Sequence, residues 1–278
     1  MNQTANPLSK LFRQPQIYIK LPSQGKWWKP GSIEIPPTGE LAVYSMTARD
    51  ELMLKTPDAL MNGSSTVEVI QSCIPSIKNA WDMPSVDLDA VLIAIRQASY
   101  GNNMDFNPVC PKCKETVEYS IDLSILSAKI KCPNYDETIK LEELEIFVKP
   151  HTYHDFNQAS IESFEQQRVI AVANDNTLTD EEKINKFNEI FQKMLTLTVA
   201  QVARSVAAIK LVDGTLVENP AFISEFFANC DKVIWNTVKD HIQNLNNSNQ
   251  FKNIDVECGS CKNQFTSPLA FETSNFFG

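Results

Sequence analysis

The sequence predicts an α+β fold, and three observations carry that reading. Apolar residues alternate in short runs between Ile17 and Tyr44, the period of half-buried strands. From Thr47 to Gly101, and again beyond Pro150, they recur at helical spacing. Two Cys-x-x-Cys pairs, Cys110-Pro111-Lys112-Cys113 and Cys258-Gly259-Ser260-Cys261, lie far apart in the chain, each between extended stretches. The expected order is an N-terminal arm and β-meander over 1–46 and a helical unit over 47–105. The first half of a zinc-ribbon-like module follows over 106–150. An all-helical insertion then spans 151–249, and the second half of the module with a tail covers 250–278.

Residues 1–15 are polar and Pro-punctuated and read as a mobile or docked arm. Runs at 17–21, 32–35 and 40–44, separated by Pro and Gly, give the meander. Trp27 and Trp28 fall in the loop between the first two runs, one ring expected packed and the other exposed. Thr47 can cap a helix whose first turn holds Asp50 and Glu51, where the helix dipole favours acids. Pro57 breaks that helix and restarts a short one behind Thr56, which Gly63 ends. A third helix carries Val67, Ile70 and Cys73 and stops before Pro75. The strongest helix runs from Ser85 to Tyr100, with Gly101 as its stop.

Strands return at 116–121 and 145–148. Thr179 and Glu182 form a capping box for a helix striped by Ile184, Phe187, Phe191 and Met194, and Thr198 with Gln201 reads as a second box. Asp213-Gly214 marks a hairpin-like turn, and Asn219-Pro220 starts a helix with Phe222, Ile223, Phe226 and Phe227 on one side. A last helix carries Val233, Ile234, Val238, Ile242 and Leu245, and Asn244–Gln250 reads as a linker. Residues 106–122 and 254–269 echo each other as strand, cysteine pair, then extended stretch, which is how two halves of one ribbon would look.

Four thiolates on two such knuckles suit one tetrahedral Zn²⁺, so Cys110, Cys113, Cys258 and Cys261 are the predicted ligands. Four protein ligands leave no open position for a substrate water, which makes the ion structural. A redox role would place a pair at a helix N-terminus after a strand, and neither pair sits there. Cys132 leaves open a second site or an exchanged ligand, while Cys73 and Cys230 fall on apolar helical faces as buried thiols. His151-x-x-His154 could ligate a metal but lacks nearby acids, and reads as part of a domain junction. The chain has no Gly-x-Ser-x-Gly elbow, no His-Glu-x-x-His and only eight glycines, so no enzyme and no small-molecule substrate is expected. Its paired carboxylates, Asp50-Glu51, Asp87-x-Asp89 and Asp180-Glu181-Glu182, each suit a helix first turn. A net charge of −9 argues against sequence-independent nucleic-acid binding. No apolar run suggests a membrane span or a signal peptide, and the odd count of seven cysteines favours a reducing compartment.

The succession Ile19-Lys20-Leu21-Pro22-Ser23-Gln24-Gly25, Met46-Thr47-Ala48-Arg49-Asp50-Glu51-Leu52 and Thr56-Pro57-Asp58-Ala59-Leu60-Met61-Asn62-Gly63 resembles the baseplate protein family of T4-like bacteriophages. So do Ser72-Cys73-Ile74-Pro75, Ala94-Ile95-Arg96-Gln97-Ala98-Ser99-Tyr100-Gly101, the first cysteine pair, and the ending from Cys258 to Gly278. The resemblance implies a non-enzymatic tail protein of the baseplate hub or its assembly, with other tail proteins as partners. It implies the host cytoplasm during assembly and, for a retained member, the virion tail baseplate. Two alternatives stay open: a chaperone for a tape-measure or hub protein, absent from the mature particle, and a zinc-ribbon nucleic-acid module.

Overall fold

The computed structural model describes residues 8, 11–56, 63–160, 179–247 and 253–268, and the chain divides into two units. The first unit takes Met1–Ala80, Asp87–Ile130 and Phe251–Gly278, and the second takes Trp81–Val86 and Lys131–Gln250. Helices mix with small antiparallel sheets throughout, an α+β fold.

In the first unit β1 (Pro15–Ile19) pairs antiparallel with β2 (Leu41–Tyr44), whose Leu41 and Val43 point into the core. The expected three-run meander is not what forms. Ile33 bridges to Ile77, and the Glu34 amide donates to the Ser76 carbonyl at 2.8 Å, so the middle run joins a distant segment. Pro36 and Pro37 follow it, and without N–H groups they cannot extend a ladder. The loop after β1 turns at Gly25, with φ +85°, where an added Cβ would stand 2.3 Å from Ile35 Cδ1. That loop is held by a buried carboxylate. Asp87 accepts from the Ser23 amide at 2.8 Å, from Ser23 Oγ at 2.5 Å and from Trp28 Nε1 at 2.9 Å. Burial pushes the Asp87 carboxyl up, and the three donors pull it back.

Thr47 and Asp50 cap α1 (Ala48–Leu54) reciprocally, Thr47 Oγ1 taking the Asp50 amide and the Asp50 carboxylate taking the Thr47 amide. The short helix expected behind Thr56 lies outside the described residues. After Gly63, at φ +75°, α2 (Ser64–Cys73) begins. The sequence places α3 (Ser85–Tyr100) at its observed bounds, but not its depth. Val91, Leu92, Ile93, Ala94 and Ile95 are all buried, so the helix is enclosed in mid-length rather than on one stripe. Next come β3 (Asn103–Phe106), paired with β4 (Tyr119–Asp122), and α4 (Leu123–Lys129), capped by Asp122.

The second unit is built on an antiparallel sheet of order β5-β6-β7-β8, from Ile139–Lys140, Leu144–Val148, Val206–Leu211 and Leu216–Val217. Its register sets Ile139, Ile146, Ile209 and Val217 in one row. That row packs on Val202, Ala203, Ile223, Phe227 and Val238 from the helices α5 (Asp180–Arg204), α6 (Pro220–Asn229) and α7 (Lys232–Asn247). The stretch expected to be all-helical therefore carries a hairpin, β7–β8, turned at Gly214 with φ +87°. Nor does a new helix start at Thr198, because α5 runs unbroken to Arg204. Asn219 caps α6 with Pro220 behind it, as the sequence predicts, whereas α7 extends to Asn247, into the expected linker, whose residues 248–250 lie outside the described residues. Among the described residues, no helix is long and apolar enough to cross a membrane.

Candidate metal centre

Each cysteine pair lies at the tip of a hairpin, and the two tips are built alike. At the first, Val109 bridges Thr116, the Cys110 amide donates to Glu115 O at 2.9 Å, and the Lys114 amide donates to Cys110 O at 3.0 Å. At the second, Glu257 of β9 (Asn253–Glu257) pairs with Gln264 of β10 (Gln264–Pro268). There the Cys258 amide donates to Asn263 O at 2.9 Å and the Lys262 amide to Cys258 O at 2.9 Å. The residue after each second cysteine, Lys114 or Lys262, is left-handed, at φ 63° and 56°. This turn aims both sulfurs of a pair to one side, as the two-residue spacer requires.

The four sulfurs of Cys110, Cys113, Cys258 and Cys261 lie within 4.8 Å of one another. Across the hairpins, Cys110 Sγ is 3.7 Å from Cys261 Sγ, and Cys113 Sγ is 3.6 Å from Cys258 Sγ. A tetrahedral ion with metal–sulfur bonds of about 2.3 Å needs sulfurs roughly 3.8 Å apart, so the arrangement is compatible with metal binding. Val117 and Val256 are buried beside the cysteines, with Phe106, Ile254 and Phe265 packed around them. Asn263 Nδ2 points to Cys110 Sγ at 3.9 Å.

The backbone prepares two of the sulfurs for the thiolate state. N–H groups of Cys113 and Lys112 hold Cys110 down to about 6, and those of Cys261 and Ser260 lower Cys258. The Glu115 N–H pulls Cys113 downward too, but burial and the three neighbouring sulfurs push it up to about 12. Four thiolates cannot gather so closely without a cation, and a divalent ion would displace the remaining protons.

Cys132 is half-buried, belongs to the second unit, and is not in the sulfur group. Cys73 is fully buried and pushed up to about 12 by burial and by Asp50, which makes it an inert thiol. Cys230, half-buried, is raised by burial and Asp231. His151 Nε2 meets Ser205 Oγ, while His154 stands edge-on to Trp81, so this pair does not converge on a metal. The group of four cysteines is the one metal-type cluster among the described residues. Sequence reasoning missed Arg13, whose guanidinium donates to Ser45 O and Ser72 O, both at 2.6 Å, and pairs with buried Asp50 at 3.5 Å. It missed the lysine turns as well, although a lysine follows each cysteine pair in the sequence.

A family model described as T4 bacteriophage base plate protein matches residues 14–278, nearly the whole chain. No curated protein and no solved structure matches it.

Proposed function

The chain belongs to the T4 bacteriophage base plate protein family, and from that premise we propose a non-enzymatic part in the structure or assembly of the baseplate hub. In this reading the protein binds other tail proteins, and Cys110, Cys113, Cys258 and Cys261 hold one structural Zn²⁺. The four-sulfur cluster carries the proposal. It joins hairpins that are distant in sequence and, with four protein donors, offers no position for a reacting ligand. Four cysteine sulfurs in tetrahedral array, supplied by two pairs with two-residue spacers, are a donor set that suits structural zinc.

Metal analysis of the purified chain tests the zinc reading, with one ion per chain expected. Replacing Cys258 with Ser should abolish stoichiometric zinc and lower the melting temperature, since metal binding and folding are coupled. An unchanged melt with full zinc content overturns the ligand assignment.

A second reading, an escort for another tail protein, draws on α5. Ile184, Phe187 and Phe191 lie along this helix and remain 59%, 47% and 60% exposed. Quantitative mass spectrometry of purified particles beside infected-cell lysate separates the two. Fixed copies in the particle support a structural component, whereas abundance in lysate and absence from particles support the escort.

A further inference from the structure

We propose that the four-cysteine cluster is also a disulfide-forming site, closing specifically as Cys110–Cys261 and Cys113–Cys258 when its metal is removed in the presence of a peroxide. The setting, a particle built in a reducing cell and released into an oxidising medium, rests on the baseplate reading. The chemistry rests on the sulfur geometry alone. Each named pair already stands at 3.7 Å or 3.6 Å across the two hairpins. Each joins one buried sulfur, Cys110 or Cys258, to one half-buried sulfur, Cys261 or Cys113.

That asymmetry gives the order of events. Peroxide reaches the half-buried cysteine first, whose thiol gives up its proton and takes one oxygen to become a sulfenic acid, releasing water. The buried sulfur of the facing hairpin then attacks that sulfenic sulfur, and the departing hydroxyl takes a proton to leave as water. In balance, two thiols and one peroxide give one disulfide and two waters.

Closure within a knuckle, Cys110 to Cys113 or Cys258 to Cys261, competes with this. It would have to deform turns held by the Lys114 and Lys262 amides on the Cys110 and Cys258 carbonyls, at 3.0 and 2.9 Å. Closure across the hairpins needs only that two intact tips approach. The outcome is a staple that changes from ionic to covalent while joining the same two segments.

The test uses the full chain. Its zinc content is measured first, so that a missing metal counts against the zinc reading without touching the sulfur geometry. The chain is then stripped by chelator in native buffer and treated with stoichiometric hydrogen peroxide. After the remaining thiols are blocked, its digest is mapped by mass spectrometry. Peptides joined as 110–261 and 113–258, with loss of four hydrogens from the reduced mass, are the expected result. Cys261→Ser should leave Cys110 alkylatable and still give the 113–258 link. Links within the knuckles, scrambled pairing, or sulfinic acids without disulfides overturn the proposal.

Discussion

At the scale of single residues, the first unit depends on polar side chains buried with their partners. Asp50 is 4% exposed and collects Thr47, Ser72 and Arg13 around one carboxylate. Arg13→Ala leaves that charge without its cation and frees the Ser45 and Ser72 carbonyls. The expected loss is about 2–4 kcal/mol, near the lower end for a broken buried pair because Arg13 itself is partly exposed. Urea denaturation of the variant beside the parent chain measures it, and Arg13→Lys should recover only part, since an ammonium cannot span both carbonyls. His151 carries a pH dependence of definite sign. Burial holds its imidazole below the ordinary value; Asp155 raises it, and Arg204 and Lys149 lower it further. The folded chain keeps His151 neutral where the unfolded chain is protonated. Its contribution is therefore complete above about pH 6.5 and is lost as pH falls from there through the lowered folded value. Thermal melts stepped through that window should fall more steeply for the parent than for His151→Gln, and equal slopes would sink the assignment.

At the scale of elements, the two lysine turns are the parts most open to direct test. A left-handed residue with a side chain costs about 1–2 kcal/mol, a strain glycine escapes. Lys262→Gly should raise stability by about 0.5–1 kcal/mol, because the greater freedom of glycine in the unfolded chain takes part of the gain back. Lys262→Val, branched at Cβ, should move the melting temperature the other way and hasten metal loss to a chelator. These turns show how far local sequence reaches. Thr47, Gly101, Asn219 and Pro220 announce helix ends because capping is settled within a few residues. Ile33 misleads because its partner, Ile77, is far along the chain and no local pattern encodes that pairing. Thr198 and Gln201 match a capping box yet lie inside α5. Beside them Val199, Val202 and Ala203 pack on the sheet, and that burial outweighs a competing cap. The cysteine cluster was legible because the spacer within each pair is itself the geometric requirement. The enclosure of α3 was not, since depth depends on what the rest of the chain brings around it.

At the scale of the molecule, the sulfur cluster closes a loop of 145 residues between Cys113 and Cys258. A permanent cross-link of that span would restrict the unfolded chain by up to about 5 kcal/mol in the loop-entropy picture. The second unit has a core of its own, in which Ile146, Ile223 and Val238 are sealed. Chelation should therefore loosen the two cysteine hairpins well before it loosens the sheet of the second unit. Limited proteolysis with fragment mapping reads this directly, with early cuts expected near Lys112, Lys114 and Lys262 and late ones within 139–148 and 206–217. Simultaneous cutting would mean that the staple supports the whole chain equally. The discontinuous first unit also imposes a schedule on synthesis. At roughly 5–20 residues per second, the ribosome delivers Cys258 about 7–30 s after Cys113. The second unit is therefore made while the earlier knuckle still waits with half a site, so a metal held by all four cysteines would be captured only by chains whose translation has passed Cys261.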